Sequence, residues 1–385
     1  MNNSMNSFTN IGVGVIGTGF IGKAHTIAHT AVSTVFGTTL RPKLEMVCDL
    51  IPERAAQQAA ELGFARHTAD WQELIAEPSV ELVSVCSPNA LHRDMAVAAL
   101  QAGKHVWCEK PMAMDVATAE EMVIAAQTFA GKTIVGYNYI KNPAVTHAQR
   151  LIASGAIGRV TAFHGRYDVD NEADETKAFS WRLSREQAGT GAIADVLSHL
   201  LSVAHFITGA DVVEAIADID IVHRQRPDPA NPARTLTVDN DDTVAALVRF
   251  SNGIQGTLGA SRVNWGRKCG LRWEVHGSLG TICHDQERLN ELLLFTASDA
   301  AEVSGFRKII TGPEHPPYAA FLPNGGHSLG YMDVKICELQ QLLHAISTDT
   351  QASPNFEAAI AIERTMAAID QSAAQRSWIP VASPD

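Results

Sequence analysis

The sequence predicts an α/β domain with a doubly wound parallel sheet, followed by an α+β domain with a large, mainly antiparallel open sheet. In the first part, apolar runs alternate with helix-like segments of about 10 to 15 residues, which is the pattern of βαβ units. Beyond Tyr139, stretches that alternate between apolar and polar residues replace this pattern and predict antiparallel strands. Because 385 residues exceed one ordinary core, we expect two domains, at 1–138 and 139–385.

The first domain is predicted to open with an apolar strand at 11–16 and a helix at 17–30 that begins in a glycine-rich turn. Residues 30–41 separate this helix from the second strand and are interpreted as an insertion. Pro52 suits the first position of a helix and Gly63 suits its end, which predicts a helix between them. The remaining predicted elements of this domain are strands at 43–49, 80–88 and 105–111 and a helix at 90–103.

The second domain is predicted to begin with a helix at 143–155. A polar, proline-containing patch at 223–242 is interpreted as a surface loop between two strands. The segment 304–331 is long, rich in glycine and proline and without clear periodicity, as are many lids and binding elements. The other predicted elements are strands at 159–169, 243–250, 253–262, 271–277 and 280–285, a helix that ends at Gly209, and helices at 332–347 and 356–375.

Charge and cysteine spacing argue against several classes of protein. The formal net charge is −12 and no basic cluster occurs, so we expect neither nucleic acid nor an anionic membrane surface as a partner. The N-terminus lacks the charged region of a secretion signal, and no apolar stretch approaches the roughly 18 residues that span a bilayer, so we expect a cytoplasmic protein. Without a CxxC pair, neither a metal site nor a disulfide framework is indicated. We expect buried, reduced thiols at all six cysteines: Cys48, Cys86, Cys108, Cys269, Cys283 and Cys337.

The stretch GTGFIG places Gly17, Gly19 and Gly22 in a GxGxxG pattern between the first strand and the first helix. These glycines allow a tight turn and a close backbone approach to pyrophosphate, and the helix N-terminus favours negative charge. The alternative is a simple tight turn between strand and helix. Asp49 ends the second strand, where a carboxylate accepts hydrogen bonds from ribose hydroxyls and repels a 2′-phosphate. The pattern therefore predicts a Rossmann domain that binds NAD in preference to NADP.

Glu109 and Lys110 follow the apolar run HVWC and precede Pro111. Because proline has no amide hydrogen to donate, it ends the strand ladder. The strand therefore delivers a lysine to the carboxyl end of the sheet, where open parallel sheets bind their ligands. The alternative is a solvated Glu–Lys pair in a surface turn.

Asp195 and His199 lie four residues apart in the helical segment that ends at Gly209, so both are expected to project from one face. Ionisable groups are rarely placed on an apolar face without a role. The alternative is that His199 is a packed core residue. The apolar neighbours that define this face are Val196, Leu197, Leu200 and Leu201.

In combination, the glycine motif, EKP and the D-x-x-x-H helix resemble the Gfo/Idh/MocA superfamily, which includes glucose-fructose oxidoreductase and inositol dehydrogenase. The resemblance covers nearly the whole chain. CSPNALH is similar to the family's TPNxxH cofactor segment, NPAVTHAQRLIASGAIG to its interdomain helix, and FSWR to a loop that often lies against the nicotinamide. The long loop and GHSLGYMDVKICEL look most like members that act on pyranosides, such as levoglucosan-type dehydrogenases.

The resemblance implies NAD as the cofactor of the first domain, no metal, and a second domain that binds substrate and forms the oligomer. It implies that Lys110 donates to the substrate hydroxyl and stabilises the developing alkoxide, that His199 is the general base, and that Asp195 binds a neighbouring hydroxyl. Glu109 would orient the strand end or the nicotinamide side. The implied cofactor residues are Gly17, Gly19, Phe20, Ile21, Gly22, Asp49, Ser87, Pro88, Asn89, His92, Glu109, Lys110, Asn138, Trp181 and Arg182. The implied substrate residues are Lys110, Tyr139, Arg166, Asp168, Asp195, His199 and Tyr331.

Three classes of function follow from these residues. The leading one is an NAD-dependent dehydrogenase that oxidises a secondary hydroxyl of a sugar, glycoside or cyclic polyol. The second is an NAD-dependent glycosidase that oxidises carbon 3 transiently, eliminates the aglycone, adds water and reduces the product again. The third is a non-catalytic NAD-binding regulator, against which the intact Lys110, Asp195 and His199 argue.

Two features bear on substrate and assembly. Leu201 and Ser202 stand where many polyol-oxidising relatives carry a further acidic residue, so the substrate's hydroxyl pattern stays open. An exposed face of the second sheet favours a homodimer or homotetramer, as is common in the family. For the glycosidase, an anionic sugar such as a sulfoquinovoside would need a basic set, for which the candidates are Arg166, Arg182, Arg262, Arg267 and Lys268.

Overall fold

A computed structural model describes residues 8–382 of the chain. Residues 1–7, part of the N-terminus considered above for a secretion signal, lie outside the described residues. The first elements are β1 (Thr9–Ile16), α1 (Phe20–Phe36), β2 (Leu40–Cys48), α2 (Pro52–Leu62), β3 (Arg66–Thr68), α3 (Trp71–Ala76), β4 (Leu82–Val85), α4 (His92–Gln101), β5 (His105–Cys108), α5 (Val116–Thr128) and β6 (Thr133–Val135). They are followed by α6 (Pro143–Ala153), β7 (Val160–Asp168), α7 (Arg185–Ala188), α8 (Ser198–Thr208), β8 (Val212–Asp220), β9 (Gln225–Asp228), β10 (Asn231–Thr237), β11 (Thr243–Phe250) and β12 (Gln255–Ser261). The last are β13 (Gly270–Gly277), β14 (Gly280–Asp285), β15 (Glu291–Thr296), β16 (Arg307–Ile310), α9 (Tyr331–Thr348), α10 (Phe356–Gln375) and β17 (Ile379–Pro380).

The chain divides into two compact units. Unit 1 contains 1–138 and 330–360, and unit 2 contains 139–329 and 361–385. The sequence analysis assigned all of 139–385 to the second domain, whereas α9 packs against α1 in unit 1. The apolar residues of α9 therefore complete the core of unit 1, and Val334, Leu339 and Leu342 are fully buried.

Unit 1 is built on a parallel sheet with the strand order β3-β2-β1-β4-β5-β6. The first strand occupies the centre and pairs with β2 on one side and β4 on the other, with Val13 opposite Leu82. Val13, Val83 and Val106 have no exposed surface, as expected for strands covered on both faces. This arrangement confirms the doubly wound fold that the alternating pattern predicts.

Unit 2 is built on a large sheet with the order β16-β15-β14-β13-β7-β12-β11-β8-β17. The strands β7 and β12 are parallel, and the other neighbouring strands of the described sheet run antiparallel. One face packs against α8, since a Cβ on Gly165 would lie 2.5 Å from the Leu200 side chain. The mainly antiparallel sheet predicted for this part of the chain is thereby confirmed.

Four local expectations are corrected. Residues 30–41 do not form a separate insertion, because α1 continues to Phe36 and β2 begins at Leu40. The polar patch at 223–242 contains the β9–β10 hairpin instead of a plain loop, and the long segment at 304–331 contributes the edge strand β16. Of the six cysteines, Cys48, Cys108 and Cys337 are buried, whereas Cys86, Cys269 and Cys283 are partly exposed.

One stretch of the described residues, Arg185–Thr208, is long and apolar enough to qualify as a membrane span by length and composition. This differs from the expectation that no such stretch exists. In the fold, 78% of its apolar window is buried, because α8 lies against the sheet of unit 2. Its apolar side chains therefore serve as core residues of this unit.

Candidate functional site

The glycine turn after β1 has the geometry of a phosphate-binding turn. Gly17 has φ +97°, and a Cβ there would lie 2.5 Å from the carbonyl oxygen of Cys86. A Cβ on Gly22 would lie 1.9 Å from the carbonyl oxygen of Gly17. Only glycine fits at these two positions. The N-terminus of α1 has no side-chain cap and no acidic residue in its first turn, so no carboxylate of that turn opposes an anion there.

Asp49 lies directly beside this turn. Its carboxylate accepts hydrogen bonds from the amide of Thr18, at 3.3 Å, and from the Thr18 hydroxyl. Arg54 Nε lies 3.5 Å from the same carboxylate. Asp49 lies far from the glycines in the sequence because α1 and β2 intervene. The parallel pairing of β2 with β1 brings Asp49 next to the glycine turn. A pyrophosphate cradle next to a partly exposed carboxylate fits a dinucleotide with an unsubstituted ribose.

His92 links the segment after β4 to the backbone after β5. This residue is 1% exposed, and its ring nitrogens lie 2.8 Å from the carbonyl oxygen of Pro111 and 3.0 Å from that of Ser87. Burial lowers the pKa of His92, although both carbonyl oxygens oppose that shift. The predicted cofactor residues Ser87, Pro88 and Asn89 are therefore tied to the backbone that follows Lys110.

Glu109 and Lys110 end β5 and differ sharply in environment. Glu109 is 5% exposed, and its carboxylate contacts His25 Nε2 at 2.8 Å and Lys335 Nζ. Lys110 is partly exposed at the same strand end. The surface-turn alternative is therefore wrong for Glu109, whose carboxylate is directed into unit 1. Because His25 and Lys335 contact this carboxylate, Glu109 supports the strand end, and its contact with the cofactor stays a prediction.

In unit 2, Asp195 and His199 lie where a π-helical turn, Ile193–Leu197, passes into α8. Such turns are frequent at functional sites. The start of this helix is fixed by Asp241, whose carboxylate accepts hydrogen bonds from the amides of Gly191, at 2.6 Å, and Ile193, at 2.9 Å. His199 is 6% exposed, whereas Asp195 is more accessible.

Two tyrosines flank the His199 ring. The ring centroid of Tyr139 lies 4.5 Å away and that of Tyr167 lies 6.1 Å away. The two hydroxyl groups are 3.1 Å apart, and Cys269 Sγ lies within 3.5 Å of both. Burial raises the pKa of Tyr167 well above its ordinary value, and Cys269 and Asp195 add to that shift. The Tyr167 hydroxyl therefore stays protonated at neutral pH and can donate a hydrogen bond.

The structure corrects the assignment of Arg166 and Asp168 to the substrate site. Side chains alternate along β7, and Tyr167 faces α8 while its two neighbours face the other side of the sheet. There Arg166 Nε and an Nη of Arg166 each lie 3.0 Å from the Asp168 carboxylate. Asn264 Nδ2 donates to the same carboxylate at 3.0 Å. Sequence reasoning missed Tyr167, although the apolar period through Phe163 and Tyr167 marks the face that packs on the helix.

Each residue of the proposed basic set contacts a carboxylate or an aromatic ring. Arg262 is 1% exposed and lies 2.8 Å from Asp242. The Arg182 guanidinium lies 4.4 Å from the centre of the Trp181 ring. The remaining pairs are Arg166 with Asp168, Arg267 with Glu287 and Lys268 with Asp170. These contacts give no support to a pocket for an anionic sugar.

Two further predicted residues, Tyr331 and Asn138, lie in unit 1, and Trp181 lies in unit 2. Tyr331 begins α9 in unit 1, and its ring centroid is 5.7 Å from that of Phe20, which is 65% exposed. Asn138 Nδ2 is buried and has no hydrogen-bond partner in the described part of the chain, so it can donate to a ligand. Trp181 lies in unit 2 with Arg182, and their contact with a cofactor stays a prediction. Among residues 8–382, no group of three or more His, Cys, Asp or Glu is arranged to hold a metal ion.

Comparison with known proteins bears on this geometry directly. Residues 11–139 match the model of an oxidoreductase family with an NAD-binding Rossmann fold, and residues 145–283 match the GFO/IDH/MocA C-terminal domain. The levoglucosan dehydrogenase of Pseudarthrobacter phenanthrenivorans is 36% identical over 385 residues, which cover 97% of this chain and 98% of the relative. The 1,5-anhydro-D-fructose reductase of Ensifer adhaerens is 35% identical over 234 residues, 60% of this chain and 64% of that protein.

Solved structures show the same likeness. Levoglucosan dehydrogenase in complex with NADH and levoglucosan has a TM-score of 0.94 at 35% identity, covering 97% of this chain and 100% of that one. An NAD binding oxidoreductase from Klebsiella pneumoniae has a TM-score of 0.93 at 39% identity, covering 98% and 100%. The matched domains and the cradle between Gly17 and Asp49 lead to one conclusion: this chain belongs to the Gfo/Idh/MocA family of oxidoreductases, and its cofactor is NAD.

Proposed function

We propose that this protein is a dehydrogenase that oxidises a secondary hydroxyl group of a sugar, glycoside or cyclic polyol. The observation that carries the proposal is the environment of His199. This histidine lies between two tyrosine rings at the start of a buried helix, with Asp195 one turn before it. A packed core histidine needs no such polar surroundings, whereas a base for a hydroxyl group does.

In the proposed reaction, different residues accept the proton of the substrate hydroxyl and stabilise the negative charge on its oxygen. His199 accepts the proton of the substrate hydroxyl. The Lys110 ammonium donates to the same oxygen and stabilises the negative charge that develops on it. Asp195 holds a neighbouring hydroxyl and orients the histidine, and Tyr139 and Tyr167 offer further donors to the sugar. NAD, when bound by the glycine turn and Asp49, supplies the hydride acceptor.

The relatives support this substrate class. Levoglucosan dehydrogenase covers nearly the whole chain at 36% identity, and solved structures of levoglucosan dehydrogenase include complexes with NADH and levoglucosan or L-sorbose. Inositol 2-dehydrogenases are more distant, at 30% identity over 201 residues. A pyranoside or anhydrosugar is therefore our first choice of substrate, and a cyclic polyol the second.

A panel of substrates tests the proposal. Purified protein is incubated with NAD and with pyranosides, anhydrosugars, cyclic polyols and aryl glycosides, while NADH absorbance and aglycone release are followed together. We expect NADH to accumulate with at least one sugar and no aglycone to appear. Aglycone release that needs NAD but produces no NADH would instead establish a glycosidase. NAD binding without turnover on any substrate would favour a regulator.

We further propose a cytoplasmic homodimer or homotetramer that assembles through the face of the unit 2 sheet opposite α8. Two cavities of about 640 and 620 Å³ open on this face, and Leu247 on β11 is 50% exposed there. Light scattering of the purified protein measures the oligomer directly. A Leu247→Lys variant is expected to shift it towards the monomer because it places charge in the interface, and an unchanged mass would move the interface elsewhere.

A further inference from the structure

A buried ionic cluster lies beneath the end of β5. Lys335 on α9 has no exposed surface, and its Nζ contacts the Glu109 carboxylate and lies 3.0 Å from Glu338 Oε2. Trp107 Nε1 donates to the same Glu338 oxygen at 3.1 Å. His25 completes the cluster: it contacts Glu109 at 2.8 Å and stacks on the Trp107 ring at 3.5 Å. A lysine 226 positions along the chain thus holds the residue that precedes Lys110.

The cluster is supported on every side by elements of unit 1. A Cβ on Gly136 would lie 2.4 Å from Glu109 Oε1, so the residue after β6 must be glycine for the carboxylate to fit. The amide of Lys110 donates to Glu109 Oε2 at 3.4 Å. The titratable groups that face Glu109 and Lys335 from the surrounding elements are His25, Cys86, His92, Cys108, Lys110, Tyr331 and Glu338.

We propose that Lys335 is a positioning residue that acts through Glu109 to fix the end of β5 and to set the electrostatic potential at Lys110. The proposal rests on the proposed function in so far as Lys110 is the donor to the substrate oxygen. It goes beyond that function by assigning a role to α9, an element that the motif-based analysis placed with the substrate domain.

The charges of the cluster explain why the lysine is needed. Burial alone would lower the pKa of Lys335, but the Glu109 and Glu338 carboxylates outweigh burial and hold the pKa above its ordinary value. Burial lowers the pKa of His25 to about 4, so this histidine is neutral at pH 7. Lys335 is therefore the cation that balances Glu109. Without it, the buried Glu109 carboxylate loses the cation that contacts it from α9.

The sign of the electrostatic effect separates this role from simple packing. Lys335→Met removes a positive charge and leaves the local potential more negative. Glu109→Gln keeps the shape of the side chain and leaves the potential more positive. The double variant restores the balance. A purely structural loss would move both single variants in the same direction, whereas an electrostatic role moves them in opposite directions.

The measurement is the pH dependence of Lys110 acylation in the protein without substrate, read by competitive labelling with acetic anhydride and peptide mass spectrometry. We expect the midpoint to rise by about half a pH unit or more in Lys335→Met and to fall by a similar amount in Glu109→Gln. The double variant is expected to return near the wild-type midpoint. Lys132→Met is the matched control, because Lys132 pairs with Asp349 at 2.7 Å and not with the cluster, and it is expected to leave the midpoint unchanged.

Turnover and NAD affinity complete the test. If a substrate is found, kcat is expected to fall at least tenfold in both single variants, with NAD affinity changed less than about threefold. Midpoints that stay at the wild-type value or shift in the same direction would overturn the proposal. If Lys335→Met does not fold, Glu109→Gln and the double variant decide alone: a lowered midpoint that the double variant restores supports the proposal, and any other result overturns it. Because labelling needs no substrate, a failure of the proposed function leaves this measurement intact.

Discussion

Asp49 shows how one carboxylate can determine which dinucleotide binds. Its oxygens accept the Thr18 amide and hydroxyl, so the carboxylate lies beside the glycine turn, where dinucleotide-binding folds commonly place the adenosine ribose. A 2′-phosphate at that point would meet a like charge. Arg54 lies 3.5 Å from the same carboxylate and is about half exposed. When Asp49 is replaced, this charge pair is lost and Arg54 can contact a 2′-phosphate.

We therefore expect wild-type protein to bind NAD at least about tenfold more tightly than NADP, a preference of about 1.4 kcal/mol. Asp49→Ala is expected to lose most of this preference, because the repulsion disappears and Arg54 can contact the 2′-phosphate. Fluorescence titration with both reduced cofactors measures it. The control is Asp49→Ala combined with Arg54→Ala, which should lose the gained NADP affinity. Equal affinities in the wild type would remove Asp49 from the ribose site.

His199 can be tested against a histidine of its own helix. His199→Ala is expected to lower turnover by roughly 10²- to 10⁴-fold, the usual contribution of a positioned acid–base group, with NAD affinity nearly unchanged. His205 is the matched control, since it lies on α8 but is partly exposed and pairs with Asp211 at 2.7 Å. His205→Ala should keep near-normal turnover. A His199→Ala variant with more than about a tenth of wild-type turnover would make this histidine a packing residue.

At the scale of single residues, the sequence predicted the residues that belong to contiguous motifs. It failed where the face of a strand determines which side chain lies at the site. GxGxxG and the strand-end aspartate carry their own spacing, and the structure brings them together. The family resemblance assigns Arg166 and Asp168 to the substrate site, but a one-residue step along a strand turns a side chain to the opposite face. Tyr167 lies beside His199 for that reason. Lys335 could not be found from the sequence, because nothing local shows that an α9 lysine meets Glu109.

The helix that carries Asp195 and His199 depends on how its first turn is held. Asp241 accepts the amides of Gly191 and Ile193, and the Asp241 carbonyl closely approaches the Gly191 Cα. This close approach between the loop before β11 and the helix start requires a residue without a side chain. The start of the helix that carries Asp195 and His199 is therefore held by both the carboxylate and the backbone carbonyl of Asp241.

Gly191→Ala is expected to destabilise unit 2 by about 1–3 kcal/mol, because its Cβ would lie 1.9 Å from the Asp241 carbonyl oxygen. The displaced helix start should lower kcat as well. Thermal unfolding and turnover of the same protein measure both effects. Gly305→Ala is the control, since a Cβ there meets nothing within 4 Å. An unchanged unfolding midpoint in Gly191→Ala would show that the loop before β11 moves away from the added methyl group without loss of stability.

Periodicity predicted elements well where one face of a strand or helix is buried. The strands β7, β11, β12, β13 and β14 lie where alternation predicts them. The failures have local causes: the stretch at 223–242 is polar and proline-containing, and at 30–41 Gly37 and the two threonines that follow it interrupt the apolar pattern, so local propensity does not show the structure of either stretch. Pairing of β2 with β1 and of β9 with β10 supplies what local propensity does not.

Across the whole molecule, chain order misleads about which residues share a core. The helix α9 follows the unit 2 sheet in sequence but belongs to unit 1, where Lys335 and Glu338 meet β5. A domain boundary placed at Tyr139, where the sequence pattern changes, does not show that a later segment of the chain packs in unit 1. The Glu109–Lys335 contact joins two elements of this unit that are 226 positions apart in the chain.

Several histidines are buried in a neutral state, and this governs stability in acid. Burial lowers the pKa of His25 from 6.5 to about 4, and burial also lowers the pKa of His29, His92 and His284. A histidine whose pKa is lower in the folded than in the unfolded chain binds more protons when unfolded. Its contribution to stability is therefore complete above about pH 6.5 and is lost as the pH falls towards 4.

We expect the free energy of unfolding to fall steadily between pH 7.5 and pH 5, with a contribution from His25 that reaches about 3 kcal/mol below pH 4. Urea unfolding at pH 7.5, 6 and 5 measures the slope, in a range above that in which most carboxyl groups titrate. His25→Gln is expected to be less stable at pH 7.5, because it loses the stack on Trp107, but to show a shallower decline with pH. Equal unfolding free energies at pH 7.5 and pH 5 would show that the buried rings become charged without unfolding, which would require the cluster around Glu109 to accommodate a second cation.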